Sequence, residues 1–319
     1  MTDLYSLSEP MDASRTLALY QQFYEAHGPA LPAGRADDMK FVEHLRENLS
    51  GLEGLILDSY GVIGLGSAPI KGITDLFDAA HDLDIPIVIL TNGASKPAIS
   101  RVAGYREWGL DIDASQIVSS RDACYQKVKQ IQAANPSAHF SYLGKNLQPF
   151  DDVAGPVYGT NGYREDGWDK ADYFIFLGAI GWQEEDQKEL ETALATSGGK
   201  LIVGNPDVSA PQVEGFSLEP GFWAMKAADK TGCEMIMTGK PFGAAYDIAL
   251  EALARLSDKP IQPEKVGMVG DSLHTDILGA KSCGLQAILL SSYGLLAGRD
   301  ILDETKKAQI YPDIIARYL

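Results

Sequence analysis

Four stretches of the chain end an apolar run, or a tight turn, on residues able to do chemistry. Leu55-Ile56-Leu57 leads into Asp58, followed by Ser59, Tyr60 and Gly61. Val88-Ile89-Leu90 leads into Thr91, Asn92 and Gly93. Thr238 and Gly239 precede Lys240 and Pro241, and Met268-Val269-Gly270 precedes Asp271, with Asp276 five positions on. Singly, each has a plain structural reading: Asp and Ser cap helices, Thr-Asn-Gly makes a turn, and Gly-Lys-Pro fits a surface loop. Together they are the parts for attack on a phosphate ester. An ionised Asp58 is a nucleophile, and Asp58 with Asp271 offers the carboxylate oxygens that Mg²⁺ prefers. The ion and Lys240 offset the repulsion between an anionic nucleophile and an anionic ester.

Such residues need strands to carry them. Short aliphatic or β-branched runs predict strands over 55–58, 86–91, 116–119, 140–143, 173–177, 200–204, 235–238, 266–270 and 286–290. Most are continuously apolar rather than alternating, as in parallel strands covered on both faces. Helical spacing lies between them over 71–83, 186–195 and 244–256. Strand-helix alternation of this kind predicts a doubly wound α/β sheet, whose ligands bind beyond the carboxyl ends of the strands. The first 46 residues read differently, as a helical extension with amphipathic helices over 12–26 and 38–49 and a breaker cluster between them.

The chain has 319 residues, 45% of them hydrophobic and 22% charged, which is globular composition of about two domains. With 44 acidic against 27 basic residues the net charge is −17, which repels phosphate backbones and anionic lipid; no nucleic acid and no membrane partner is expected. Cys124, Cys233 and Cys283 are far apart and fit neither a disulfide framework nor a zinc site. The acidic opening has no basic segment followed by an apolar stretch, so the chain reads as cytoplasmic.

In order and position these motifs resemble the haloacid dehalogenase (HAD) superfamily: Asp58 with Gly61-Val62, Thr91-Asn92, Lys240-Pro241, and Gly270-Asp271 with Asp276. Pro241 stands 149 positions after Asn92, too far for a simple crossover, and this spacing implies an inserted cap. Its placement is similar to the class IIA branch, which holds sugar-phosphate and nitrophenyl-phosphate phosphatases, as do Asn205-Pro206-Asp207, Pro220-Gly221 and Thr275-Asp276-Ile277. The resemblance implies a Rossmann-like parallel-sheet core over 47–132 and 234–319 and an α/β cap over 133–233. It implies Asp58 as nucleophile and Mg²⁺ ligand, the main-chain carbonyl of Tyr60 and Asp271 as further ligands, and Asp276 orienting Lys240 or a metal-bound water. Thr91 and the amides around Asn92 and Gly93 would hold the phosphoryl group, Lys240 would neutralise it, and Asn205 and Asp207 would meet the substrate from the cap. The implied partner is a small phosphorylated metabolite. Members of the branch often pair through their caps, which leaves a homodimer open.

One position departs from the pattern. Phosphatases of the family carry a second Asp two positions after the nucleophile, to protonate the leaving group and then activate water. Here that residue is Tyr60, a phenol with an ordinary pKa near 10 and so a poor base at neutral pH. Three readings follow: a phosphatase in which Tyr60 or water serves, a silent phosphate-ester-binding protein, and dehalogenase- or phosphonatase-like chemistry, since dehalogenases also begin Asp-x-Tyr. Against the last, 60–91 has no room for a dehalogenase cap, and Asp271 with Asp276 retains the acids of a metal site. His274 is expected either to contact substrate at the pocket mouth or to sit exposed in a loop. Trp168, Trp182 and Trp223 read as cap core rather than substrate platforms.

Overall fold

The computed structural model describes residues 5–31, 33–145, 147–159, 163–212, 214–257 and 259–319. Among these, the larger sheet has seven parallel strands. Their spatial order is Lys40–His44, Ile314–Tyr318, Gln286–Leu290, Val266–Gly270, Gly54–Leu57, Ile87–Thr91 and Ile117–Ser119. The central strands are buried along their whole length, as their unbroken apolar sequences require. Each fully buried Leu, Ile or Val side chain contributes roughly 1.5–3 kcal/mol. Register then positions the chemistry. Val269 pairs with Leu57 and Leu57 with Ile89, so Asp58, Asp271 and Thr91 leave the sheet along one edge.

A smaller parallel sheet runs Met235–Met237, Lys200–Val203, Tyr173–Phe176, Phe140–Leu143 and Val157–Tyr158. The helices Glu184–Ser197 and Pro220–Thr231 accompany it, and Trp168, Trp182 and Trp223 are buried in the hydrophobic core it shares with them. Met235–Met237 belongs to this sheet, although the sequence reading assigned residue 234 onward to the core; the chain re-enters the core only after Met237.

The helix expected over 38–49 is not formed. Lys40–His44 is an edge strand, paired from Lys40 with Ile314 to His44 with Tyr318, and only Leu45–Asn48 turns as a short 3-10 helix. Phe41 and Val42 favour a strand, and pairing with the distant strand Ile314–Tyr318, not foreseen from sequence, outweighs the helical spacing of Val42, Leu45 and Leu49. The first helix is formed, over Ala13–His27, capped by the Asp12 side chain accepting from the Arg15 amide at 2.8 Å. It buries Leu17, Leu19, Tyr20, Phe23 and Tyr24 where the two sheets' domains meet. Its Thr16 and Ser209 hydroxyls share a 2.7 Å hydrogen bond, and Gln21 meets His274 at 3.0 Å. No helix among the described residues is long and apolar enough to cross a membrane.

Candidate active site

The floor of the site is made by residues that follow the core strands. Lys240 donates to Asp58 Oδ1 and, at 2.7 Å, to Asp276 Oδ1. Its backbone is clamped by one side chain: Asn92 Oδ1 accepts from the Lys240 amide at 2.8 Å, and Asn92 Nδ2 donates to the Lys240 carbonyl at 3.2 Å. Ser120 holds the same Asn92 oxygen at 2.6 Å. After Gly270 the chain makes a π-helical turn over Leu273–Ile277, which brings Asp276 back so that its Oδ2 accepts from the Ser272 amide at 3.1 Å. Asp271 Oδ2 accepts from the Leu295 amide at 2.7 Å. Two glycines make room for it. Gly61 and Gly294 both have positive φ, +91° and +69°, and a Cβ on either would run into the Asp271 carboxylate.

Asp58, Asp271 and Asp276 are buried, and one carboxylate oxygen from each lies within 4.8 Å of the others. Burial lifts the Asp58 carboxyl to about 7, opposed by Lys240 and reinforced by Asp276. Burial together with Asp276 and Asp58 pushes Asp271 well up. Burial works against the charge on Lys240, yet Asp276 and Asp58 hold its ammonium above the usual lysine range. Three carboxylates against one ammonium leave a deficit of positive charge. A divalent cation fits it by donor chemistry, since hard cations take carboxylate oxygens. The Ser272 hydroxyl beside them is buried without a hydrogen-bond partner among the described residues, as a group facing a cation's water shell is.

Above the floor is a cavity of about 340 Å³, roofed by Ile180, Asn205, Asp207, Gln212 and Glu219 from the smaller domain and by Tyr20 from the first helix. Asp207 Oδ1 accepts from Asn92 Nδ2 at 2.8 Å and from the Tyr20 hydroxyl at 3.4 Å. Glu219 accepts from Ser217 at 2.6 Å and Asn205 at 3.2 Å. Burial raises Asp207 to about 6, against the pull of Lys240, and Glu219 to about 7, against its bond from Ser217. A second cavity of about 830 Å³ shares Gly93, Ile180, Asn205, Gln212 and Glu219 with the first, so the cleft extends away from Asp58 under the smaller domain.

Of the residues singled out in the sequence, Asp58, Tyr60, Thr91, Asn92, Gly93, Asn205, Asp207, Lys240 and Asp271 line the first cavity, with Asp276 beneath them against Lys240. Tyr60 is at the rim: its hydroxyl accepts from the Gly66 amide at 3.1 Å and meets Gln212 Oε1 at 3.4 Å. His274 is neither at the pocket mouth nor exposed. It is 3% exposed, stacks on Tyr20, and burial lowers it to about 4. The reason is the first helix, which covers the face where a loop histidine would meet water. Arg101, Glu219, Ser272 and Tyr20 also line the cavity and were not anticipated. Arg101 donates to the Gly93 carbonyl at 3.1 Å while its Nε is buried without a partner among the described residues, a second cation lining the cavity beside Gly93. No local motif marks Arg101 or Tyr20; Ser272, adjacent to Asp271, and Glu219, directly before Pro220-Gly221, carried a positional signal.

Comparison with known proteins agrees with this geometry. Residues 55–148 match a family described as haloacid dehalogenase-like hydrolase, and residues 237–319 one described as HAD-hydrolase-like. The chain is 27% identical over 244 residues to an acid sugar phosphatase of Staphylococcus haemolyticus, covering 75% of this chain and 85% of that protein. It is 24% identical over 276 residues to the ribonucleotide monophosphatase NagD of Escherichia coli, covering 82% and 97%. The crystal structure of a “possible sugar phosphatase, HAD superfamily” from Cytophaga hutchinsonii superposes with a TM-score of 0.73 at 23% identity, over 88% of this chain and 98% of that one.

Proposed function

The chain belongs to the haloacid dehalogenase-like hydrolases, and on that premise we propose that it hydrolyses a small phosphate monoester, a sugar phosphate or similar metabolite, through an aspartyl-phosphate on Asp58. The observation that carries this reading is the set of Asp58, Asp271 and Asp276 around Lys240 under a cavity deep enough for an ester. The names of the relatives, acid sugar phosphatase and ribonucleotide monophosphatase, support it. Mg²⁺ would be held by Asp58, the Tyr60 carbonyl and Asp271, with Asp276 behind them, and when bound it supplies positive charge against the phosphoryl oxygens.

The chain's own residues do the rest. Thr91, the Gly93 amide and Arg101 receive the phosphoryl oxygens, and Lys240 neutralises charge as Asp58 attacks phosphorus. Asn92, by clamping the Lys240 backbone, fixes where that charge sits. The roof excludes bulk water from the covalent intermediate until one water hydrolyses it. The leaving group occupies the extension toward Asn205 and Glu219.

The test is phosphate release from a broad monoester panel with Mg²⁺, comparing wild type with Asp58→Asn. Turnover by wild type and its loss by about 10⁴-fold or more in Asp58→Asn is the expected result. Full activity in Asp58→Asn removes the nucleophile from the scheme. An inert wild type that still binds phosphate esters would establish a silent binding protein, and halide release without metal would establish dehalogenation.

A further inference from the structure

The position that should carry the acid and base of this reaction holds Tyr60, and the Tyr60 hydroxyl is tied to the rim by Gly66 and Gln212. Some other group must protonate the leaving alkoxide and then activate water, unless the leaving group departs unaided. The carboxyl groups among the described lining residues are Asp58, Asp271, Asp207 and Glu219. Asp58 is the nucleophile and Asp271 belongs to the cation site. Glu219 has both oxygens engaged, by Ser217 and Asn205. Asp207 differs: both of its hydrogen bonds fall on Oδ1, and Oδ2 has no protein partner among the described residues.

Asp207 is also at the right end of the cavity. Its partner Asn92 adjoins Thr91 and clamps Lys240, so the carboxyl hangs from the roof over the phosphoryl end. Resting on the phosphatase reading, we propose that Asp207 is the general acid and base of this hydrolysis, and that Tyr20 of the first helix is its positioning residue. As Asp58 bonds to phosphorus and the P–O ester bond breaks, protonated Asp207 gives its proton to the departing oxygen, releasing the alcohol. The Asp207 carboxylate then takes a proton from water, and the resulting hydroxide attacks phosphorus. The Asp58–phosphorus bond breaks, inorganic phosphate leaves, and Asp207 is protonated again.

The electrostatics suit both halves of that cycle. Burial lifts Asp207 to about 6, so both protonation states are accessible near neutrality. The groups facing it are Lys240, which favours the carboxylate, Asp276, Asp58 and Glu219, which oppose it, and the Tyr20 hydroxyl, which donates to it. Tyr20 also accepts from the Val208 amide at 3.1 Å, so one phenol from outside both domains fixes the segment that carries Asp207.

The experiment compares two substrates with Mg²⁺: glycerol phosphate, whose alkoxide needs a proton to leave, and dinitrophenyl phosphate, whose phenolate does not. In Asp207→Asn, kcat/KM for glycerol phosphate is expected to fall by about 10²–10⁴-fold, with a far smaller loss on the activated ester. Asp207→Glu should restore part of the glycerol phosphate rate, and Tyr20→Phe should move the basic limb of its kcat/KM pH profile upward, because removing a donor to the carboxylate keeps Asp207 protonated to higher pH. An equal loss on both esters makes Asp207 structural and overturns the proposal, as does a leaving-group-dependent loss found in Tyr60→Phe instead. If wild type cleaves neither ester nor any other monoester, the phosphatase reading falls first and the assignment with it.

Discussion

The floor and the roof of the cleft solve the same problem, holding charge out of water, by opposite means. On the floor, three carboxylates that follow strands of the larger sheet crowd the one ammonium of Lys240, which follows Met235–Met237 of the smaller sheet. Position there is set by strand register, and the charge imbalance is left for a cation. On the roof, Asp207 and Glu219 sit among neutral partners, Asn92, Tyr20, Ser217 and Asn205, contributed by four separate segments. Their raised pKa values follow from burial, which outweighs the pull of Lys240 on Asp207 and the bond from Ser217 on Glu219. With a cation bound the floor is built to hold fixed negative charge, including that of Asp58, which burial alone lifts to about 7, whereas the roof changes its charge near neutral pH.

If that contrast is right, floor variants should respond to metal and roof variants to pH. The largest effect is expected for Lys240→Met, which leaves the buried acids without their ammonium. In metal-free buffer it should lower stability by about 3–5 kcal/mol and with Mg²⁺ by clearly less; chemical denaturation with and without Mg²⁺ measures the difference. A loss that ignores Mg²⁺ would break the comparison. On the roof, Glu219 has a folded pKa of about 7 against an ordinary 4.5. The folded state binds that proton more tightly, so Glu219's contribution is full below pH 4.5 and is lost as pH rises through 7. Glu219→Gln should thus gain on wild type between pH 4.5 and 7 by up to about 3 kcal/mol, read from denaturation midpoints across that window. Gly294→Ala is expected to cost about 1–2 kcal/mol from its left-handed backbone, with the displacement of the Asp271 carboxylate added to that. Because the new methyl meets the Asp271 carboxylate, activity titrated with Mg²⁺ should show an affinity loss of about 10–100-fold.

The same contrast explains what the sequence made legible. A strand that ends on Asp58 or Thr91 advertises itself, because the apolar run and the polar turn are adjacent in the chain. The strands Phe140–Leu143, Val266–Gly270 and Gln286–Leu290 stand where their apolar runs predict them, to the residue. Arg101 and Tyr20 could not be found that way: a lone charged residue in a helix's first turn, or a tyrosine midway along an amphipathic helix, resembles dozens of others until packing turns it inward. His274 failed for the same reason, since the helix that buries it lies far away in the chain. Lys40–His44 was misread because its helical spacing is local, whereas its strand partner is roughly 270 residues on.

That partner has a consequence for how the molecule is made. Ile314–Tyr318 lies between Lys40–His44 and Gln286–Leu290, so the early edge strand has nothing to pair with until the late strand exists. During synthesis Lys40–His44 must therefore wait, unpaired, while the intervening chain emerges. Closing so long a loop is entropically slow, and the exposed Phe41 and unpaired edge are a hazard for aggregation meanwhile. The chain's earliest and latest segments complete the core together, so a trimmed C-terminal strand should disturb the opposite end of the polypeptide first.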